Sequence, residues 1–225
     1  MKAYVSAPLY WDRTDWLYFA GAVAAIGTAY HFDGEVRSHF TANSTNALST
    51  SNSHDLQDAA PAAAMLAGTW LYAGLIDDQS GHREAASMLE ATVFAVGTTY
   101  ALKYASGRLA PDQTTDPGRW EAGGASFPSE HVTAAFAIGT VLAESGNTRY
   151  RWVRRILGYG LASFTAYERL DHNAHWLSDT VAGAALGAAS AKFAMSRSAN
   201  AAQASTLGLA PLYRGMMLRY SAHLN

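Results

Sequence analysis

From Gly107 to Phe127 the chain carries Pro111, Pro117, Gly118, Gly123 and Gly124. Proline fixes φ and removes a backbone donor, and clustered glycine marks turns, so this stretch folds as an irregular loop. The sequence on both sides has a different character. Alanine-rich apolar segments of helical length alternate there with turn signals, which predicts helices before and after the loop.

Taken in order, a first helix is predicted over about Asp15–Tyr30, capped by Asp12 or Thr14, with Trp16, Phe19, Val23 and Ile26 partly on one face. Residues 41–58 are rich in Ser, Asn and Thr and read as a long polar loop or a weak helix. Pro61 suits the first turn of a second helix reaching about Ile76, and Asp77–Gly81 reads as a turn. A third helix covers about Arg83–Tyr104 and stops at Gly107. Beyond the loop, helices are predicted over Ser129–Glu144, over Arg151–Tyr167 and from about His175 onward. Residues 199–225 form a weakly defined tail in which Leu218–Leu224 alternates like a short strand without an evident partner. The expectation is an all-α, single-domain bundle of about six helices over residues 1–225.

Composition narrows the functions open to such a bundle. The net charge of −2 offers no basic face for nucleic acid, and the absence of cysteine excludes thiolate chemistry and disulfides. A spanning helix needs about 20 mostly apolar residues, and the apolar stretches here are shorter or diluted by alanine. With a mean hydropathy of −0.05, the chain reads as a soluble helical protein, with contact to a membrane surface and oligomerisation left open. Lys2 is followed by no apolar run before Tyr10, Trp11 and Asp12, so no signal peptide is expected. That leaves a cytoplasmic protein or the mature form of one from the periplasm or cell envelope.

Three separated stretches carry chemistry. In R-L-D-H-N-A-H-W-L-S-D, Arg169 precedes His175 by six residues and Asp179 follows it by four. If His175 is helical, the imidazole and the carboxylate share a face, with Cβ atoms roughly 5–6 Å apart. A carboxylate so placed holds one ring nitrogen as N–H and frees the other to attack; a helix-start histidine beside a capping aspartate explains the same spacing. In A-S-F-P-S-E-H, Ser129, Glu130 and His131 open a helix whose unpaired N–H groups suit a phosphate, and an ordinary N-cap looks no different. Lys103 and Arg108 near a helix end are able to clamp phosphate oxygens, or to be simple surface cations.

Together the three stretches resemble the type 2 phosphatidic acid phosphatase superfamily, which also holds the class A bacterial acid phosphatases and the vanadium haloperoxidases. Its pattern is K-x6-R-P, then P-S-G-H, then S-R-x5-H-x3-D. Lys103 and Pro111, then Pro128, Ser129 and His131, then Arg169, His175 and Asp179 fall on it in order, within roughly residues 60–195. Three positions depart: Ala110 stands where the pattern has arginine, Glu130 where it has glycine, and Glu168 where it has serine.

The resemblance implies an acid phosphatase/vanadium haloperoxidase-like helical fold and a metal-independent phosphatase acting through a phosphohistidine. It implies His175 as the nucleophile, Asp179 as its orienter and His131 as the acid. Lys103, Arg108, Ser129, the Glu130 backbone and Arg169 would bind phosphate. The substrate expected is a phosphate-bearing lipid, isoprenoid or small soluble molecule. No cofactor is expected, with vanadate as inhibitor. Three rivals remain: a haloperoxidase with vanadate as cofactor, a non-catalytic phosphate-headgroup binder, and a metal hydrolase resting on His172 and His175.

Overall fold

The computed structural model describes residues 4, 6–43, 54–75, 79–145, 150–203, 206–212 and 215–221. A short 3-10 turn, Ala7–Tyr10, leads into α1 (Arg13–His31) and α2 (Asp33–Asn43). The helices α3 (His54–Leu75), α4 (Gln79–Ser106), α5 (Glu130–Glu144), α6 (Arg151–Asp171) and α7 (Leu177–Gln203) follow. The chain closes with an antiparallel hairpin of β1 (Thr206–Leu212) and β2 (Gly215–Ser221), in which Leu209 pairs with Leu218.

The all-α expectation holds for the packed body, with four corrections. α2 was not foreseen, because it has no apolar stripe; it is anchored instead by one buried charge, Asp33. The stretch 41–58 is largely not a loop where described, since Thr41–Asn43 end α2 and His54–Asp58 begin α3, while 44–53 lie outside the described residues. Likewise Gln79–Gly81 belong to α4 rather than to a turn. In the tail the strand-like run does find a partner, β1.

Local chemistry sets the helix ends. Asp12 caps α1 by accepting from the N–H groups of Thr14 and Asp15, while the Asp15 carboxylate accepts from the Asp12 N–H, a reciprocal capping box. α4 stops because Gly107 takes φ 52°, a left-handed conformation open to glycine, and its N–H closes onto Lys103 O at 3.0 Å.

Small residues let the central helices approach closely. A Cβ added at Gly139 of α5 would lie 2.4 Å from Gly158 O of α6, and one at Gly183 of α7 would lie 2.7 Å from Ser129 O. The core between α3, α4, α5, α6 and α7 is accordingly built of alanine with a few larger residues, among them Met65, Met88, Ile138 and Val141. By length and composition, Gly81–Ser106 is able to cross a membrane, although 39% of its apolar window is buried within the protein. Large apolar side chains stay exposed elsewhere, as at Leu17 on α1 and Trp152 and Ile156 on α6. Three arginines of the basic run on α6 are paired rather than bare: Arg154 with Glu84, and Arg151 and Arg155 with Glu144.

Candidate active site

His175 lies in the bend between α6 and α7, not on the helix where the spacing had placed it. Asn173 turns the chain with φ 53°, and Arg169 O accepts from the N–H groups of Ala174 and His175 at 3.1 and 3.3 Å. Trp176 immediately precedes α7, its backbone N–H held by Asp179 Oδ2 at 3.0 Å. One carboxylate therefore caps the helix and faces the histidine. His175 Nδ1 sits 3.6 Å from Asp179 Oδ2, beyond hydrogen-bond distance, and the two form an ion pair only when the ring is protonated.

Both groups are buried. Burial, the larger effect, pushes the His175 pKa below its ordinary value; Asp179 opposes that shift, while Lys103 and Arg169 add to it. Burial alone would raise the Asp179 carboxyl, yet the neighbouring His175, Arg108 and Ser126 hold it below the usual value. At neutral pH the site therefore presents a neutral imidazole backed by a carboxylate. That is the state a nitrogen nucleophile needs.

The second stretch reaches the same place through the backbone. Ser129 N–H donates to Asp179 O at 3.0 Å, tying the start of α5 to the start of α7. Ser126 Oγ donates to Asp179 Oδ2 at 2.5 Å. Ser129 Oγ is buried and has no hydrogen-bond partner among the described residues, so a buried hydroxyl is left over at a helix N-terminus. Glu130 accepts from the Tyr100 hydroxyl of α4 at 3.0 Å, on an exposed side of the protein. His131 follows in the first turn of α5, half-buried.

The loop that joins the third stretch, Lys103–Arg108, to the second folds back on itself. Glu121, Ala122, Gly124 and Ser126 donate their N–H groups to the carbonyls of Ser106, Gly107 (twice) and Arg108. A Cβ at Gly124 would lie 2.1 Å from Arg108 O, so only glycine fits. Lys103 Nζ donates to Ala125 O at 2.5 Å and is near enough to influence His175. Arg169, also buried, acts on His175 from α6.

Arg108 differs from the expectation. Its guanidinium is fully buried, with Nη1 on Asp179 Oδ1 at 2.6 Å and Nη2 on Asp33 Oδ2 at 2.7 Å, while Nε and Nη2 also meet Pro117 O. Trp120 stacks at 4.5 Å from its centre, with Tyr30 and Trp176 at 5.3 and 5.4 Å. With its donors so engaged, Arg108 is not placed as a phosphate ligand. It stands behind Asp179. Beside Ala110, Arg37 Nε donates to Pro111 O at 3.0 Å and Trp176 Nε1 to Leu109 O at 2.8 Å, so the loop is fixed on both sides of the missing arginine.

Sequence reasoning missed Asp33, Ser126 and Ser178. Ser126 lay inside a quoted stretch and carried a usable signal, its closeness to Pro128 and Ser129. Asp33 is 145 residues from its partner Ser178 and offered none.

With this geometry in place, the relatives can be compared. The model of the PAP2 superfamily matches residues 84–202, which take in all three stretches. The chain belongs to the PAP2 superfamily. A stretch of 91 residues is 40% identical to a lipid A 1-phosphatase of Porphyromonas gingivalis, covering 40% of this chain and 18% of that protein. This chain therefore corresponds to a small part of that relative. A crystal structure of Aquifex aeolicus LpxE aligns over 67% of this chain and 90% of that one, at 19% identity and a TM-score of 0.46.

Proposed function

We propose that this PAP2 superfamily chain is a phosphatase that removes phosphate from a lipid, in the cell envelope, without a metal ion and through a phosphohistidine. The observation carrying the reading is the buried His175, backed by Asp179 and flanked by Lys103 and Arg169, with the Ser129 hydroxyl and the α5 N-terminus beside them. Cations and N–H groups held in place before reaction are what a transferring phosphoryl group requires. The choice of a lipid is supported by the identity to a protein named as a lipid A 1-phosphatase and by the exposed apolar side chains.

In this reading His175 Nε2 attacks phosphorus as the bond to the leaving oxygen breaks, and His131 gives that oxygen its proton. Water then attacks the phosphohistidine, passing a proton to His131, and releases inorganic phosphate and free His175. Lys103 and Arg169 balance the charge on the non-bridging oxygens. Asp179 keeps the ring oriented throughout.

The test is phosphate release from a lipid phosphate, an isoprenoid pyrophosphate and p-nitrophenyl phosphate, each with EDTA or orthovanadate. The expectation is turnover of the lipid, insensitive to EDTA, inhibited by vanadate and abolished in His175→Ala. Activity that survives His175→Ala sinks the phosphohistidine route. Loss in EDTA that a divalent ion restores points to metal hydrolysis, and no turnover of any substrate points to a phosphate-headgroup binder.

A further inference from the structure

The first residue of α2 is held as firmly as anything in the site. Asp33 is fully buried; its Oδ1 accepts from Ser178 N–H at 2.8 Å, and its Oδ2 accepts from Ser178 Oγ and Arg108 Nη2, both at 2.7 Å. Ser178 Oγ in turn accepts from Arg108 Nη1 at 2.8 Å, and the same Nη1 reaches Asp179 Oδ1 at 2.6 Å. A single guanidinium thus bridges two buried carboxylates.

The charges decide what this means. Asp33, Arg108 and Asp179 together carry a net charge of one negative unit. Were Asp33 neutral, Arg108 would cancel Asp179 alone, and His175 would face a neutral pair. In a buried setting such a difference is screened far less than at the surface.

We propose that Asp33 is a positioning residue for the His175 chemistry: it fixes Arg108 and cancels its charge, so that the negative charge of Asp179 is left for the imidazole. The inference rests on the reading of His175 as the reacting group. The other charged groups acting on that ring are Lys103 from α4 and Arg169 from α6; from α5, Glu130 is engaged by Tyr100 on an exposed side. Asp33 is the carboxylate that α2 adds, and it acts through Arg108 rather than by touching substrate.

The test replaces Asp33 with asparagine in the full chain, keeping size and an acceptor for Ser178 while removing the charge. His175 is titrated by NMR on histidine-labelled protein without substrate, its resonance assigned from His175→Gln, and hydrolysis of p-nitrophenyl phosphate is measured in parallel. In Asp33→Asn the His175 midpoint falls by about one pH unit and kcat by about tenfold, with KM within about twofold. Adding Arg108→Gln, which restores the net charge, brings the midpoint back. A folded Asp33→Asn chain with an unmoved midpoint overturns the proposal. If Asp33→Asn does not fold, the double variant decides: a midpoint like that of the unaltered chain supports the proposal, and a lowered one overturns it. Because the titration needs no turnover, a chain that shifts as described but hydrolyses nothing defeats the phosphatase reading alone.

Discussion

His175 is held below its ordinary pKa, mainly by burial, and two consequences follow at the scale of single residues. The neutral ring is the attacking form, so kcat/KM should rise with pH along an acid limb whose midpoint lies below 6.5, the ordinary histidine value. Stability follows the same sign: the unfolded chain takes up the proton first, so stability present above 6.5 is lost as pH falls through the folded value. Asp179, also depressed, adds a further loss below 3.8. Melting temperature against pH should show the first drop flattened in His175→Gln, and an unchanged profile would contradict the burial argument. Glu130 is a milder case, because Tyr100 holds its carboxylate on an exposed side. Glu130→Gly should therefore change kcat/KM by less than about tenfold, or 1.4 kcal/mol; a hundredfold gain would mean that the carboxylate faces phosphate. The grouping of Arg169, His175 and Asp179 was legible because all three lie in or beside the one short bend between α6 and α7. Arg108 was misread because its role depends on Asp33, 75 residues away, which no local pattern announces.

The positions of whole helices were legible from turn signals and alanine-rich segments, yet the tightness of their packing was not. Gly139 and Gly183 look alike in sequence, but each meets a different neighbour. A Cβ at Gly139 would press on Gly158 O, between α5 and α6, away from His175. One at Gly183 would press on Ser129 O and push the start of α5 from α7, where Ser129 N–H holds Asp179 O. Both Gly→Ala changes should lower stability by about 1–3 kcal/mol through overpacking. Only Gly183→Ala should also reduce kcat in chains that remain folded. Equal kcat losses in the two variants would show that the α5–α7 contact has no special place in the site. α2 went unforeseen for a related reason: a polar helix anchored by a buried ion pair leaves no hydrophobic period to detect.

At the scale of the whole molecule, Trp152 at 67% and Ile156 at 63% are exposed on α6, beside arginines already matched by glutamates. Patches of that kind mark contact with something apolar. Binding to phospholipid vesicles should thus survive 1 M salt, where the screening length is about 3 Å, and weaken in Trp152→Glu with Ile156→Glu. Sedimentation with vesicles measures this, and release by salt alone would assign the contact to charge instead. Composition could not show it, because mean hydropathy averages a polar interior site with an apolar exterior. The buried charges also impose an order on biosynthesis. Asp33 waits for Arg108, and both wait for Ser178 and Asp179. On the ribosome Asp33 and Arg108 emerge before Ser178 and Asp179, their remaining partners, have been made. Until the last helix is released, those groups stay solvated and the central helices have no reason to close around them. A nascent chain stalled before residue 178 should accordingly remain open to protease across α2 and the loop after α4, however long it is held.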